Sequence, residues 1–181
     1  MGIRLGLARI HIPQSVRKRR LDGLFEATAA AFGTPAPTTR RLTDDQCLDV
    51  YAEFTRDQAE AVLRHGDVLD TQARLFSNAR RLGNQLRAEF KVNSTLDVMR
   101  LSSLVYELIG IDFRGEPDGD ITIRRCFFST YYSGQVCRVV SSLDAGLLAG
   151  LSRGGRLVFS ERLTEGGRCC RAYLDMGEEL T

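Results

Sequence analysis

From residue 13 onward, apolar positions recur at helical spacing. Val16, Leu21, Leu24, Phe25 and Phe32 fall on one side of a helix predicted over 13–32. Pro13 suits its first turn and Gly33 follows its end. The segment Gly33-Thr-Pro-Ala-Pro-Thr-Thr then breaks the pattern. Thr43 and Gln46 have the spacing of a capping box. They start a second helix that carries Cys47, Val50, Tyr51, Phe54 and Ala61 and stops near Gly66. Asp67 or Asp70 can cap a third helix, through Leu75, Leu82, Leu86 and Phe90. Ser94 caps a fourth, with Leu96, Met99, Leu101, Leu104, Val105 and Leu108, ending at Gly110.

The texture changes after the turn-rich stretch Arg114-Gly-Glu-Pro-Asp-Gly-Asp. Ile121 to Phe128 is rich in β-branched and aromatic residues and reads as a strand. Ser133 can cap a helix from about Gln135 to Leu151, closed by Gly154-Gly155. Leu157–Leu163 and Cys169–Leu174 read as two strands joined by Thr164-Glu-Gly-Gly-Arg. The expected fold class is α+β: N-terminal helices packed with a small C-terminal β-α-β-β unit. The division is one domain over 1–181, with a helical part at 1–113 and a sheet-and-helix part at 114–181.

Composition narrows the function. Hydrophobic residues make up 43% and charged residues 27%, and 25 basic against 23 acidic side chains leave a net charge of +2. That balance argues against a dedicated nucleic-acid binder. No stretch approaches ~18 consecutive apolar residues, so no membrane span is expected. The opening MGIRLGLARIHIP is too short and too early-charged for a signal peptide. The expected compartment is the cytoplasm, where thiols stay reduced. The odd count of five cysteines agrees, since five cannot all pair within one chain. Only two histidines are present, His11 and His65, near the N-terminus and at a helix end. Histidine-based chemistry is therefore poorly supplied. The run Arg17-Lys-Arg-Arg20 reads as a solvated helix face.

Cysteine chemistry is better supplied. Cys126 lies on the first predicted strand, Cys137 early in the helix after Ser133, and Cys169 and Cys170 on the last strand. Each alone reads as a small core hydrophobe. Together they can converge if the three elements pack. Ser141 and Asp144 follow Cys137 at i+4 and i+7, so thiol, hydroxyl and carboxylate share one helix face. That row is either a reactive stripe or a solvent-facing one. A helix start favours a thiolate, although Cys137 stands at the edge of that range. Cys169 and Cys170 point to opposite faces of their strand, so at most one joins a shared site. The repeat Ala145-Gly146, Ala149-Gly150 invites close approach of another element. Three thiols with Asp144 can ligate zinc, but no CxxC knuckle is present, so no metal and no cofactor are expected.

A pattern runs through Arg125-Cys126, Cys137, Asp144 with Ala-Gly-Leu-Leu-Ala-Gly, and Arg162-Leu-Thr-Glu-Gly-Gly-Arg-Cys-Cys. It resembles the L-2-amino-thiazoline-4-carboxylic acid hydrolase-like family over roughly residues 100 to 175. The resemblance implies hydrolytic opening of a cyclic amidine of thiazoline type, in bacteria a step in making cysteine, and so an enzyme of biosynthetic or specialised metabolism. It implies Cys126, Cys137, Asp144 and Cys170 as site residues. The accompanying chemistry is thiolate attack by Cys137 or Cys126, with Asp144 relaying protons. Arg124 or Arg125 can pair with a substrate carboxylate and Ser141 can contact the substrate. The expected partner is a small-molecule substrate. The alternative is a non-catalytic small-ligand or metal-sensing module, since the arrangement also looks somewhat like the vinyl-reductase-type ligand-binding domain. A third reading is a helical interaction protein with all its thiols buried.

Overall fold

The computed structural model describes residues 14–39 and 41–176. Four helices come first: α1 (Gln14–Phe32), α2 (Asp44–His65), α3 (Val68–Phe90) and α4 (Thr95–Leu108). Their ends follow local chemistry. Thr43 and Gln46 form the reciprocal capping box, at 3.3 and 2.9 Å, and Gly66 closes α2 in the left-handed region at φ 88°. Ser94 accepts from the Asp97 N–H at 3.2 Å to start α4. Asp67 precedes α3 but makes no side-chain cap bond. Pro13, His11 and the rest of the opening segment lie outside the described residues.

A four-stranded antiparallel sheet follows, in the order β1-β2-β4-β3. The strands are β1 (Ile111–Gly115), β2 (Asp120–Cys126), β3 (Arg156–Glu161) and β4 (Cys170–Asp175). Between β2 and β3 run α5 (Gly134–Val140) and α6 (Ser142–Leu151). The α+β expectation holds: helices lead and the sheet lies in the C-terminal part.

Several boundaries differ from the sequence reading. β1 is an additional strand, between the expected helix end at Gly110 and the turn-rich stretch that begins at Arg114. Its burial alternates, with Ile111 and Phe113 inward and Asp112 and Arg114 outward. A hairpin joins it to β2, and Gly119 sits there at φ 103°, where a side chain would meet the Leu174 carbonyl and the Tyr173 ring. β2 ends at Cys126, and a short 3-10 turn follows over Phe127–Thr130. The expected single helix from about Gln135 to Leu151 is divided at Ser141. β3 ends at Glu161, so the connection to β4 is a longer loop containing the 3-10 turn Leu163–Glu165.

The small-residue repeat is packing. A Cβ on Gly150 would lie 2.8 Å from the Gly83 Cα and would strike the Arg80 carbonyl, and one on Gly146 would strike the Phe76 backbone. α3 and α6 therefore touch along their backbones. One core cluster joins Phe25, Tyr51, Leu86 and Leu101 of the helices to Phe113, Ile123, Cys170 and Leu174 of the sheet. Among the described residues, no helix is long and apolar enough to cross a membrane.

Candidate active site

A cavity of about 300 Å³ lies between the N-terminal helices and the C-terminal unit. That is the lower end of the range for small-molecule sites. Leu24 of α1, Leu82 and Leu86 of α3, and Leu104 and Leu108 of α4 supply much of its wall. Cys126, Cys137, Ser141, Asp144 and Cys170 line the same cavity. The three elements that carry these residues do converge. The row from Cys137 to Asp144 faces the cavity despite the helix break at Ser141.

Asp144 is the centre of the polar end. It accepts a hydrogen bond from the Tyr106 hydroxyl at 2.8 Å. Asp144 is partly accessible and is one of the residues lining the cavity. Burial pushes its carboxyl up to about 6, against the pull of the Tyr106 bond and the Arg162 charge. Tyr106 is itself held by β1, its ring stacked on Phe113 with centroids 4.8 Å apart and planes 2° apart. Burial, then the Asp144 charge and hydrogen bond, raise its phenol well above the usual range.

The thiols differ in environment. Burial pushes Cys126 up to about 12, and the charges of Asp144, Cys170 and Cys137 add to this. Cys170 is also raised, mainly by burial, although the Leu163 N–H points to its sulfur at 3.4 Å. Cys137 has a cation beside it: Arg162 Nη1 lies 3.8 Å from its Sγ. Arg162 also lies 3.8 Å from Glu165 and caps the Phe159 ring at 3.9 Å from its centroid. Glu165 in turn accepts from Arg138 of α5 at 2.7 Å, tying the β3–β4 loop to that helix. Ser141 donates back to the Arg138 carbonyl at 3.3 Å.

Arg124 and Arg125 do not take the expected place. Both are exposed on β2 and neither lines the cavity. Arg125 borders a separate cleft beside β1 and α4, of about 900 Å³. The cation beside Cys137 is Arg162, from the loop between β3 and β4. Cys169 is half-buried and does not line the cavity, and Cys47 is buried in the helical core. His65 is exposed at the end of α2. Tyr106, Tyr132 and Thr164 line the cavity and are not among the site residues expected from the sequence. Tyr106 had a faint signal, as the one polar aromatic in the apolar row of α4.

Among the described residues, no three His, Cys, Asp or Glu side chains gather so as to hold a metal ion. No family model matches the chain, and no curated protein and no solved structure matches it either.

Proposed function

We propose that the chain is a small-molecule hydrolase-like enzyme that opens a carbon–nitrogen bond of a cyclic amidine by thiolate chemistry. The observation that carries this reading is the convergence of Cys137 and Asp144 on one cavity, with Arg162 against the sulfur. Cys137, with Arg162 beside its sulfur, is a better nucleophile than Cys126, which burial holds as a neutral thiol at physiological pH. The Cys137 thiolate adds to the carbon of an amidinium, and the π pair moves to nitrogen. Protonated Asp144 gives its proton to the ring nitrogen as that C–N bond breaks. Water then adds to the cationic thioimidate and passes a proton to the Asp144 carboxylate. The C–S bond breaks, the thiolate returns, and an open-chain amide and an ammonium are the products, a final proton passing through solvent. A carboxyl poised near 6 suits both the acid and the base half.

Turnover of a panel of cyclic amidines, read as ring-opened product by mass spectrometry, tests the reading. Cys137→Ala and Asp144→Asn should each cost at least a hundredfold in kcat, roughly the size of such contributions. Cys126→Ala should keep most of the rate. Full turnover by a folded Cys137→Ala variant, or no turnover of any amidine by the unmodified chain, would overturn it.

A further inference from the structure

The cavity wall also speaks to the class of substrate, and what it says departs from the small charged ring that the resemblance implies. Among the described residues, no arginine or lysine side chain lines the cavity. The two carboxylate-bearing residues on its wall, Asp144 and Glu89, would repel an anion. Arg162, which lies against Cys137, is already engaged by Glu165 and the Phe159 ring. A substrate carboxylate would lose its hydration there without a charge partner. Away from Asp144 the wall is hydrocarbon, from Leu24, Leu86, Phe90, Leu104 and Leu108.

The polar end holds one unused group. Thr164 is among the residues that line the cavity, and its buried hydroxyl has no hydrogen-bond partner among the described residues. Two other buried hydroxyls lack partners, on Thr34 and Ser102, and neither borders the cavity. An orphan hydroxyl at a cavity wall marks where a ligand's polar atom belongs. A hydroxyl can donate to a carbonyl or accept from an N–H, so it fits an amide or amidine head.

We infer that the substrate is amphiphilic, with an alkyl or aryl body among the leucines and an amide- or amidine-type head, bearing no carboxylate, against Thr164 and the Tyr106–Asp144 pair. This rests on the small-molecule reading above and changes its substrate from a compact charged ring to one bearing an apolar body. Specificity would then come from the body, which fits the cavity, and from the head, which answers Thr164.

Calorimetric titration of the full chain at about pH 8 tests this, with hexanamide, octanamide, octanoate, hexylbenzene and 2-amino-thiazoline-4-carboxylate as probes. Octanamide should bind, and each added CH2 should tighten binding about fourfold until the cavity is full. Octanoate and the thiazoline carboxylate should bind at least tenfold more weakly. Thr164→Val should weaken octanamide roughly two- to tenfold and leave hexylbenzene unchanged, which also shows that the variant cavity is intact. Equal binding of octanoate and octanamide, tightest binding of the thiazoline carboxylate, or no effect of Thr164→Val on octanamide would overturn the inference. The two readings fail separately. Turnover of the thiazoline carboxylate with weak amide binding overturns this inference and keeps the enzyme. Tight amide binding without turnover of any amidine keeps this inference and overturns the catalysis.

Discussion

The Tyr106 hydroxyl donates to an Asp144 carboxylate oxygen across 2.8 Å, at the polar end of a cavity walled mainly by hydrocarbon. The bond stabilises the ionised carboxylate, yet burial outweighs it and the carboxyl titrates at about 6. The folded chain thus holds this proton more tightly than the unfolded chain, whose carboxyl titrates near 3.8. Asp144 therefore costs stability progressively as pH rises from about 4 to about 6, and the cost is complete above that.

Asp144→Asn removes the charge and keeps an oxygen that accepts from Tyr106. The variant should be more stable than the unmodified chain at pH 7, by of the order of 2–3 kcal/mol, and nearly equal to it at about pH 4. Urea unfolding of both proteins at the two pH values checks this. Equal stability at pH 7 would show that Asp144 is not buried as described. A stabilising change that abolishes turnover is the signature of a group kept for function.

The cavity thiols should differ in reactivity. Cys126, raised to about 12, and Cys170, also raised, stay protonated at mildly alkaline pH. Brief iodoacetamide treatment followed by peptide mass mapping should find Cys137 alkylated ahead of both. Cys126 modified as fast as Cys137 would contradict the division of roles.

Two glycine substitutions should have opposite signs. Gly150 has no room for a side chain against α3, so Gly150→Ala forces α3 and α6 apart and should cost at least 1–3 kcal/mol. Gly23, in α1, has open space around it, so Gly23→Ala should stabilise by roughly 0.5–1 kcal/mol. Thermal unfolding of the pair measures both. A neutral Gly150→Ala would mean that the two helices are not in backbone contact.

What the sequence made legible was mostly local. Thr43 with Gln46, Ser94 and Ser133 mark helix starts through bonds within three residues, and all three caps form as read. The expected strand Cys169–Leu174 starts one residue later, so Cys170, first in β4, is buried at the cavity while Cys169 lies just before the strand and does not line it. β1 was hidden because five residues with two charges give only one and a half alternations, next to a strong turn. Missing it also hid Phe113, and with it the stacking that holds Tyr106. Arg162 outranks Arg124 and Arg125 for a reason no spacing shows. The β3–β4 loop folds back on α5 through Glu165 and Arg138, 27 residues apart. The leucine wall was legible as helical core, and that it leaves a cavity depends on how four helices meet.

Arg162 should tune the site through charge. Its guanidinium lowers the Asp144 carboxyl, so Arg162→Met should move the Asp144 limb of the kcat/KM profile to higher pH. Loss of the contact to Cys137 should also lower kcat/KM roughly tenfold or more. A pH–rate profile of the variant on an amidine substrate reads both effects. An unshifted limb would place the titrating group elsewhere.

The central claim is that Cys137 bonds to substrate carbon inside this cavity. The most direct measurement is a rapidly acid-quenched turnover mixture, digested and mapped by mass spectrometry for a substrate-derived adduct. The account predicts the thioimidate mass on the peptide containing Cys137, increased when Asp144→Asn slows its hydrolysis. An adduct on Cys126 or Cys170, or turnover with no cysteine adduct in either protein, would contradict it.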